Sequence, residues 1–192
     1  GFKITPREFD IWMRLLGAVP GSVLWLLSRN ESTTANLRRE AEARGISAER
    51  LILADQRPME EHLARHRLAD LFLDTFAYNA HTTMSDALWA GLPAVTRLGR
   101  QFAARVGGSL LRATGMDELV AATDAEYGAL ARGLARDPAR LAAVRARLAA
   151  ALPSAPLFDT AGYARALEHG FELALERHRQ GLPPCDLTIP AR

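Results

Sequence analysis

The sequence has 192 residues, of which 48% are hydrophobic and 24% are charged, and its formal net charge is +2. These values are typical of one globular domain, and they exclude the collagen-like, disordered and disulfide-rich classes of protein. Acidic and basic residues alternate without forming a basic block, so we expect no nucleic-acid partner. Arginine supplies 23 of the 24 basic residues, and Lys3 is the single lysine.

Cysteine usage and hydropathy restrict the compartment. Cys185 is the single cysteine, so no disulfide can form within the chain, and a cytoplasmic location is expected. No apolar run approaches the roughly 20 residues of a membrane helix, so we expect no membrane partner. The five histidines have no zinc-type spacing, which predicts no metal site. The first residue is Gly1 rather than Met, as in a processed or truncated chain.

The predicted elements alternate between helix and strand. A capping box at residues 5–8, with Pro6 at the first helical position, predicts a helix over residues 6–18. The following elements are predicted, in chain order, as a strand at 22–27, a helix at 33–44 capped by Thr33 or Thr34, a strand at 51–54, a helix at 58–67, a strand at 70–74, a helix at 82–90, a strand at 93–96 and a helix at 102–112. This alternation predicts an α/β fold with a Rossmann-like, doubly wound parallel sheet.

The C-terminal third is predicted to be helical. A second capping box at residues 123–126 and Pro138 each begin a helix, and residues 160–180 carry Tyr163, Leu167, Phe171 and Leu175 at spacings of four. We expect these helices to close over the sheet. The predicted organisation is one domain over residues 1–180 and a tail over residues 181–192.

The segment over residues 74–86 connects a strand to a helix, where ligands bind in open parallel sheets. Thr82 and Thr83 place hydroxyls and backbone N–H groups at the positive end of that helix, which suits phosphate oxygens. Asp86, one turn later, can accept hydrogen bonds from sugar hydroxyls. The alternative, that Thr82 is only an N-cap and Asp86 only a first-turn acid, stays open at this point.

Three basic side chains are further candidates. His62 and Arg65 are three residues apart in a short predicted helix, so they share a face that could contact a base and a ribose. Lys3 lies just before the first helix, where a point charge suits a diphosphate. All three could equally be exposed surface residues. Gly107 and Gly108 are interpreted as positions of close helix packing.

Residues 69–93 strongly resemble the C-terminal catalytic lobe of the O-GlcNAc transferase family, glycosyltransferase family 41, which also includes the SPINDLY O-fucosyltransferases. Supporting matches occur at residues 2–6, 19–27, 60–62 and 103–110, and the resemblance covers about residues 2–170. It implies the C-terminal lobe of a GT-B glycosyltransferase, the lobe that holds the nucleotide sugar.

The resemblance also implies roles for the residues of the diphosphate region. Lys3 corresponds to the lysine that neutralises the donor diphosphate and helps the nucleoside diphosphate to leave. His81, Thr82 and Thr83 correspond to the diphosphate loop at a helix N-terminus. Fixed positive groups there would act chiefly in the transition state, when charge develops on the leaving phosphate. The resemblance implies no metal or other cofactor.

The resemblance likewise implies which residues contact the nucleoside. The resemblance makes Asp86 the acceptor of ribose hydroxyls, His62 and Arg65 nucleoside contacts, and the backbone around Arg57 the reader of the base edge. Met59 departs from the pattern, since well-known animal members carry a nucleoside-contacting lysine there.

The implied function is to bind UDP-GlcNAc within a protein O-glycosyltransferase that modifies Ser and Thr hydroxyls. The family places tetratricopeptide repeats and an N-terminal catalytic lobe before this region, so the chain alone is expected to be incomplete for turnover. The alternatives are a non-catalytic module that binds a nucleotide or a partner protein, and a family member that uses GDP-fucose or UDP-glucose.

Overall fold

The computed structural model describes residues 3–27 and 30–189; Gly1 and Phe2 of the predicted domain and the last three residues of the predicted tail lie outside that part. The helices are α1 (Pro6–Ala18), α2 (Glu31–Glu42), α3 (Met59–Arg65), α4 (Thr82–Trp89), α5 (Val106–Ala113), α6 (Asp124–Arg136), α7 (Pro138–Ala151) and α8 (Thr160–Arg179). The strands are β1 (Leu24–Leu27), β2 (Leu51–Ala54), β3 (Phe72–Leu73), β4 (Ala94–Arg97) and β5 (Val120–Ala121).

Helix α1 begins where its capping box predicts. The Thr5 N–H donates to Glu8 Oε1 at 2.9 Å, and the Thr5 hydroxyl also contacts the Glu8 carboxylate. Pro6 occupies the first turn, where its missing N–H costs nothing. The buried face of the helix consists of Phe9, Ile11, Trp12, Met13 and Leu16, besides Glu8. This face anchors α1 against α6 in the core.

All strand pairs between described residues are parallel. β1 pairs with β2, and β4 lies between β3 and β5. The first three residues of β4 are fully buried, as in a central strand covered on both faces. The predicted α/β fold with parallel strands is therefore confirmed, although the described strands form two separate sheets, one of two strands and one of three. The loops after β3 and β4 lie at the same edge, because parallel strands end together.

The C-terminal helices divide into two groups. α6 and α7 pack on the core through the fully buried side chains of Tyr127, Leu134 and Leu148, as predicted. α8 buries no side chain, and its apolar residues Tyr163 and Phe171 are 68% and 65% exposed. The expectation that α8 closes over the sheet is therefore wrong. The periodicity identified an apolar helix face but could not show what that face contacts.

Two local predictions need correction. α2 is capped by Asn30, whose side chain accepts from the Thr33 N–H at 2.7 Å, and neither Thr33 nor Thr34 is the cap. β5 was not predicted, since two residues are too short to show a periodicity. In the described ranges no helix is both long and apolar enough to cross a bilayer.

Candidate active site

The loop after β3, residues 74–81, is organised by the carboxylate of Asp74. Its Oδ1 accepts the backbone N–H of Thr75 at 2.9 Å and of Ala80 at 2.7 Å, which closes the loop on itself. Its Oδ2 accepts the hydroxyl of Thr96, in β4, at 2.6 Å. One buried carboxylate thus fixes both ends of the loop and ties it to the neighbouring strand.

Burial dominates the ionisation of Asp74. Its side chain is fully enclosed, and desolvation raises the pKa of this carboxyl to about 7. The hydrogen bonds from Thr96, Ala80 and Thr75, and the nearby charge of Lys3, lower the pKa but do not offset burial.

Helices α5 and α6 pack against Asp74. The Tyr127 hydroxyl, in α6, donates to the Asp74 carbonyl oxygen at 3.0 Å and accepts from Trp12 Nε1 at 3.0 Å. A Cβ at Gly107, in α5, would come within 2.5 Å of Asp74 Oδ2. Gly107 therefore allows α5 to approach the carboxylate, which confirms that it is a packing position.

Lys3 rests on the outer side of the loop. Its ammonium donates to the Asn79 carbonyl oxygen at 2.9 Å and lies 4.0 Å from the centre of the Tyr78 ring. Partial burial lowers the pKa of Lys3, while the charge of Asp74 raises it. The only lysine of the chain is thus fixed at the sheet edge, next to the predicted diphosphate loop.

Helix α4 begins three residues after Asn79, whose carbonyl oxygen accepts from Lys3. Its N-cap is His81, which stacks on Tyr78 with ring centres 4.8 Å apart, so the alternative that Thr82 is the N-cap is wrong. Thr82 and Thr83 are the first two helical residues, and both are exposed. Within residues 3–27 and 30–189, no group accepts from their backbone N–H groups. Two donors at the positive end of a helix are therefore available to an anion.

His62, Arg65 and Asp86 form a second cluster, one helical turn from Thr83. Arg65 Nη2 lies 2.8 Å from His62 Nδ1, and since a guanidinium can only donate, that nitrogen accepts. The proton of the neutral ring is then on Nε2, which faces Asp86 Oδ2 at 3.9 Å. Burial, followed by the neighbouring cations, lowers the pKa of His62. The ring is therefore neutral at pH 7 and presents a donor beside a carboxylate.

Two nitrogen atoms of the Arg65 guanidinium already donate hydrogen bonds within the chain. Besides His62 it donates to the Asp55 carbonyl oxygen at 2.8 Å, and its guanidinium lies 5.8 Å from the Trp25 ring centre. Arg57 is exposed and lies 3.9 Å from Glu61. Arg57 does not contact the His62 cluster through any described ion pair or hydrogen bond. The predicted base-reading role of its backbone stays a prediction, as do the other ligand roles.

The comparisons with known proteins agree with this arrangement. The family model described as glycosyl transferase family 41 matches residues 1–167. The chain belongs to this family. A solved chain of an O-GlcNAc transferase mutant from Thermobaculum terrenum superposes on this family-41 chain with a TM-score of 0.83 and 37% identity, and the match covers 88% of this chain and 33% of that one. The expected GT-B lobe architecture is thereby supported by a related structure.

Curated relatives match nearly the whole of this family-41 chain. A UDP-N-acetylglucosamine–peptide N-acetylglucosaminyltransferase from Caenorhabditis elegans is 38% identical over 97% of the chain, and a probable one from Arabidopsis thaliana, SEC, is 35% identical over 98%. The chain spans only 16% and 19% of the length of these two proteins.

Sequence reasoning missed Asp74 and Tyr78 as parts of this site. An acid directly after an apolar strand, at the start of the candidate loop, was the available signal for Asp74. Nothing in the sequence shows that Tyr78 lies between Lys3 and His81. No group of three or more His, Cys, Asp or Glu side chains in the described part of the chain could hold a metal ion.

Proposed function

We propose that this chain is the donor-binding lobe of a protein O-GlcNAc transferase. It binds UDP-GlcNAc at the edge formed by the loop after β3 and the start of α4. Together with an N-terminal catalytic lobe and tetratricopeptide repeats, it transfers N-acetylglucosamine to Ser or Thr hydroxyls of proteins inside the cell. The names of the relatives support the donor and the acceptor class.

One observation carries this proposal. The ammonium of Lys3 and the available N–H groups of Thr82 and Thr83 border the same short loop, on both sides of Tyr78 and His81. Phosphate groups bind well to backbone donors at a helix N-terminus and to the point charge of a lysine, and a diphosphate can contact both at once. The site therefore suits the diphosphate of a nucleotide sugar.

Lys3 would assist departure of the nucleoside diphosphate. Breaking the bond between the sugar and the diphosphate leaves negative charge on the phosphate oxygens, and a fixed ammonium stabilises that charge most when it develops. Lys3 is already held in place by Asn79 and Tyr78, so little reorganisation is required at that moment. We propose that this chain's own cation supplies the compensating charge, without a metal cofactor.

The His62 cluster would hold the nucleoside. Asp86 is partly exposed, and its oxygens can accept ribose hydroxyls, while the His62 ring offers a flat surface and an Nε2 donor. Arg65 positions that ring through Nδ1. The nucleoside and the diphosphate would thus lie along one path from α3 to the start of α4.

A calorimetric titration of UDP into the folded chain tests this proposal, with GDP titrated in parallel. We expect saturable binding of UDP that is tighter than that of GDP. Absence of UDP binding at millimolar ligand, in a chain shown by circular dichroism to be folded, would contradict donor binding. Tighter binding of GDP would assign the site to a guanosine nucleotide instead.

A further inference from the structure

A cavity of about 320 Å³ lies next to the candidate site and shares the loop after β3 with it. Phe76 and Ala77 of that loop line it, together with Thr5 and Arg7 at the start of α1. The lining is completed at the end of β4 and beyond it by Arg97, Gly99, Arg100, Gln101 and Ala104. Its volume is at the lower end of the range for small-ligand pockets.

The cavity is rich in positive charge. Arg7 Nη2 and Arg97 Nε lie 2.8 Å and 2.9 Å from the same oxygen of Asp124, so the two guanidinium groups share one carboxylate. Arg97 Nε is buried without an aligned hydrogen bond, so its contact with Asp124 is an ion pair and no more. Arg100, also in the lining, forms no ion pair with any described residue. The three arginines of the lining carry three positive charges, and the Asp124 carboxylate compensates one of them, which leaves two positive charges in excess.

The ring of Phe76, which lines the cavity, contacts the guanidinium groups of Arg7 and Arg97. The Phe76 ring is 3% exposed, and the guanidinium carbons of Arg7 and Arg97 lie 5.8 Å and 5.6 Å from its centre. The ring itself rests edge-on against Tyr127, with centres 4.9 Å apart. Cations held by a carboxylate and an aromatic face lose little freedom when an anion binds.

The position of the cavity relative to the proposed donor site indicates which anion would bind in it. The chain of contacts runs from His62 to Asp86 in α4, then from His81 to Tyr78 and Lys3. The cavity lies at the Lys3 end of this series, because it is lined by Thr5, two residues after Lys3, and by Ala77, which precedes the Tyr78 that Lys3 contacts. With the donor placed as proposed, the nucleotide spans the His62 cluster and Lys3 and leaves the cavity free at the Lys3 end, which is the end where a diphosphate donor carries its sugar.

We propose that this cavity is an anion subsite that takes an acidic side chain of the polypeptide acceptor. The inference rests on the proposed function, since the acceptor direction follows from the placement of the donor. A carboxylate forms charge-assisted hydrogen bonds with guanidinium groups, and planar donors suit it better than an ammonium does. The enzyme would thus favour acceptor sequences with Asp or Glu near the modified hydroxyl.

Peptide binding to the UDP-saturated chain tests the subsite. Two short labelled peptides share a Ser-containing sequence and differ only in carrying two Asp or two Asn residues beside the Ser. By fluorescence anisotropy at low salt, we expect the Asp peptide to bind about three- to tenfold more tightly, as two partly exposed ion pairs allow. The preference should shrink at high salt because screening weakens such pairs. Equal binding of the two peptides would overturn the proposal.

Arg100→Gln is the informative variant, because this exposed side chain lines the cavity and forms no ion pair with a described residue. We expect it to reduce the preference for the Asp peptide to less than about half and to leave UDP affinity unchanged. Arg38→Gln removes an arginine of α2 that is also exposed and lies outside the cavity lining, and this matched control should retain the full preference. An equal loss in both variants would show that net charge, and not the cavity, attracts the peptide.

Competition experiments separate the possible sources of the anion. Inorganic phosphate and chloride are therefore added to the UDP-saturated chain at equal ionic strength, and we expect both salts to weaken the preference for the Asp peptide to the same extent. Loss of the preference in phosphate but not in chloride would assign the cavity to phosphate and contradict the acceptor role. The UDP titration of the same samples distinguishes the two proposals. A chain that binds UDP but does not discriminate between the peptides disproves the subsite alone, and a chain that discriminates but does not bind UDP disproves the donor site.

Discussion

The ammonium of Lys3 donates to the carbonyl oxygen of Asn79 at 2.9 Å, across 76 positions of the chain. This contact fixes the single lysine against the loop that precedes α4, where Thr82 and Thr83 expose their N–H groups. It joins the two halves of the proposed diphosphate site.

Replacing Lys3 tests the charge in that site. Lys3→Ala should weaken UDP binding by about 1.5–3 kcal/mol, roughly ten- to 150-fold, because a hydrogen bond to a charged group is lost. Calorimetry measures the change. Uridine, which carries no phosphate, should bind the variant and the parent chain equally. Unchanged UDP affinity would remove Lys3 from the site.

His62 should affect the other end of the ligand. We expect His62→Ala to weaken UDP and uridine by the same factor, about 0.5–1.5 kcal/mol for one neutral hydrogen bond, because the ring contacts the nucleoside and not the diphosphate. Parallel titrations of both ligands measure this. The matched control is His169→Ala in α8, which should bind both ligands as the parent chain does. A loss restricted to UDP would place His62 at the phosphates instead.

The ionisation of Asp74 should make stability depend on pH. Its pKa is about 7 in the folded chain against 3.8 for an unperturbed aspartate, so the native state binds this proton more tightly than the unfolded state. The contribution to stability is complete below pH 3.8 and is lost as the pH rises through 7. The size of the loss is roughly 4 kcal/mol at high pH, from about 1.4 kcal/mol for each pKa unit.

Asp74→Asn isolates this effect. The amide can still accept from Thr75 and Ala80 but cannot ionise, so the fall in stability between about pH 4 and about pH 8 should become much smaller. Urea unfolding at several pH values measures it. Asp70→Asn changes an aspartate whose side chain is 89% exposed, and it should retain the parent pH dependence. An Asp74→Asn profile parallel to that of the parent chain would contradict the raised pKa.

Gly107 tests the packing behind the loop. In Gly107→Ala the new methyl group would lie 2.5 Å from Asp74 Oδ2 and 2.7 Å from Thr96 Oγ1, so we expect a loss of about 1–3 kcal/mol from overpacking. Gly128→Ala, in α6, meets only Ile11 at 3.4 Å and should be neutral or stabilising, because alanine favours helix. Urea midpoints for the two variants measure the difference. Equal stability of both would show that α5 can move away from Asp74 without cost.

Much of the fold could be predicted because local chemistry determines it. The capping box at Thr5, Pro138 at the start of α7 and the apolar run of β1 each define an element without reference to the rest of the chain. β5 could not be predicted because two strand residues are too few to show a period. The cap at Asn30 was missed because Asn30, Ser32, Thr33 and Thr34 are all residue types that can cap a helix. The exposure of α8 depends on which surfaces meet, and no local pattern contains that information.

The sequence predicts which types of residue form the site, but it does not predict the contacts that hold them in place. The positions of Lys3, Thr82 and Thr83 relative to a parallel strand follow from topology and the resemblance. The closure of the loop by Asp74 depends on contacts with β4, α5 and α6, which come from distant parts of the chain. Cooperative burial of this kind cannot be seen from spacing alone.

The most direct test of the account is to observe the backbone amides of Thr82 and Thr83 by NMR during titrations with UDP and with uridine. We predict large chemical-shift changes of both amides with UDP, because they donate to the diphosphate, and small changes with uridine. Binding of UDP that leaves both amides unperturbed would contradict the claim that the start of α4 holds the donor diphosphate.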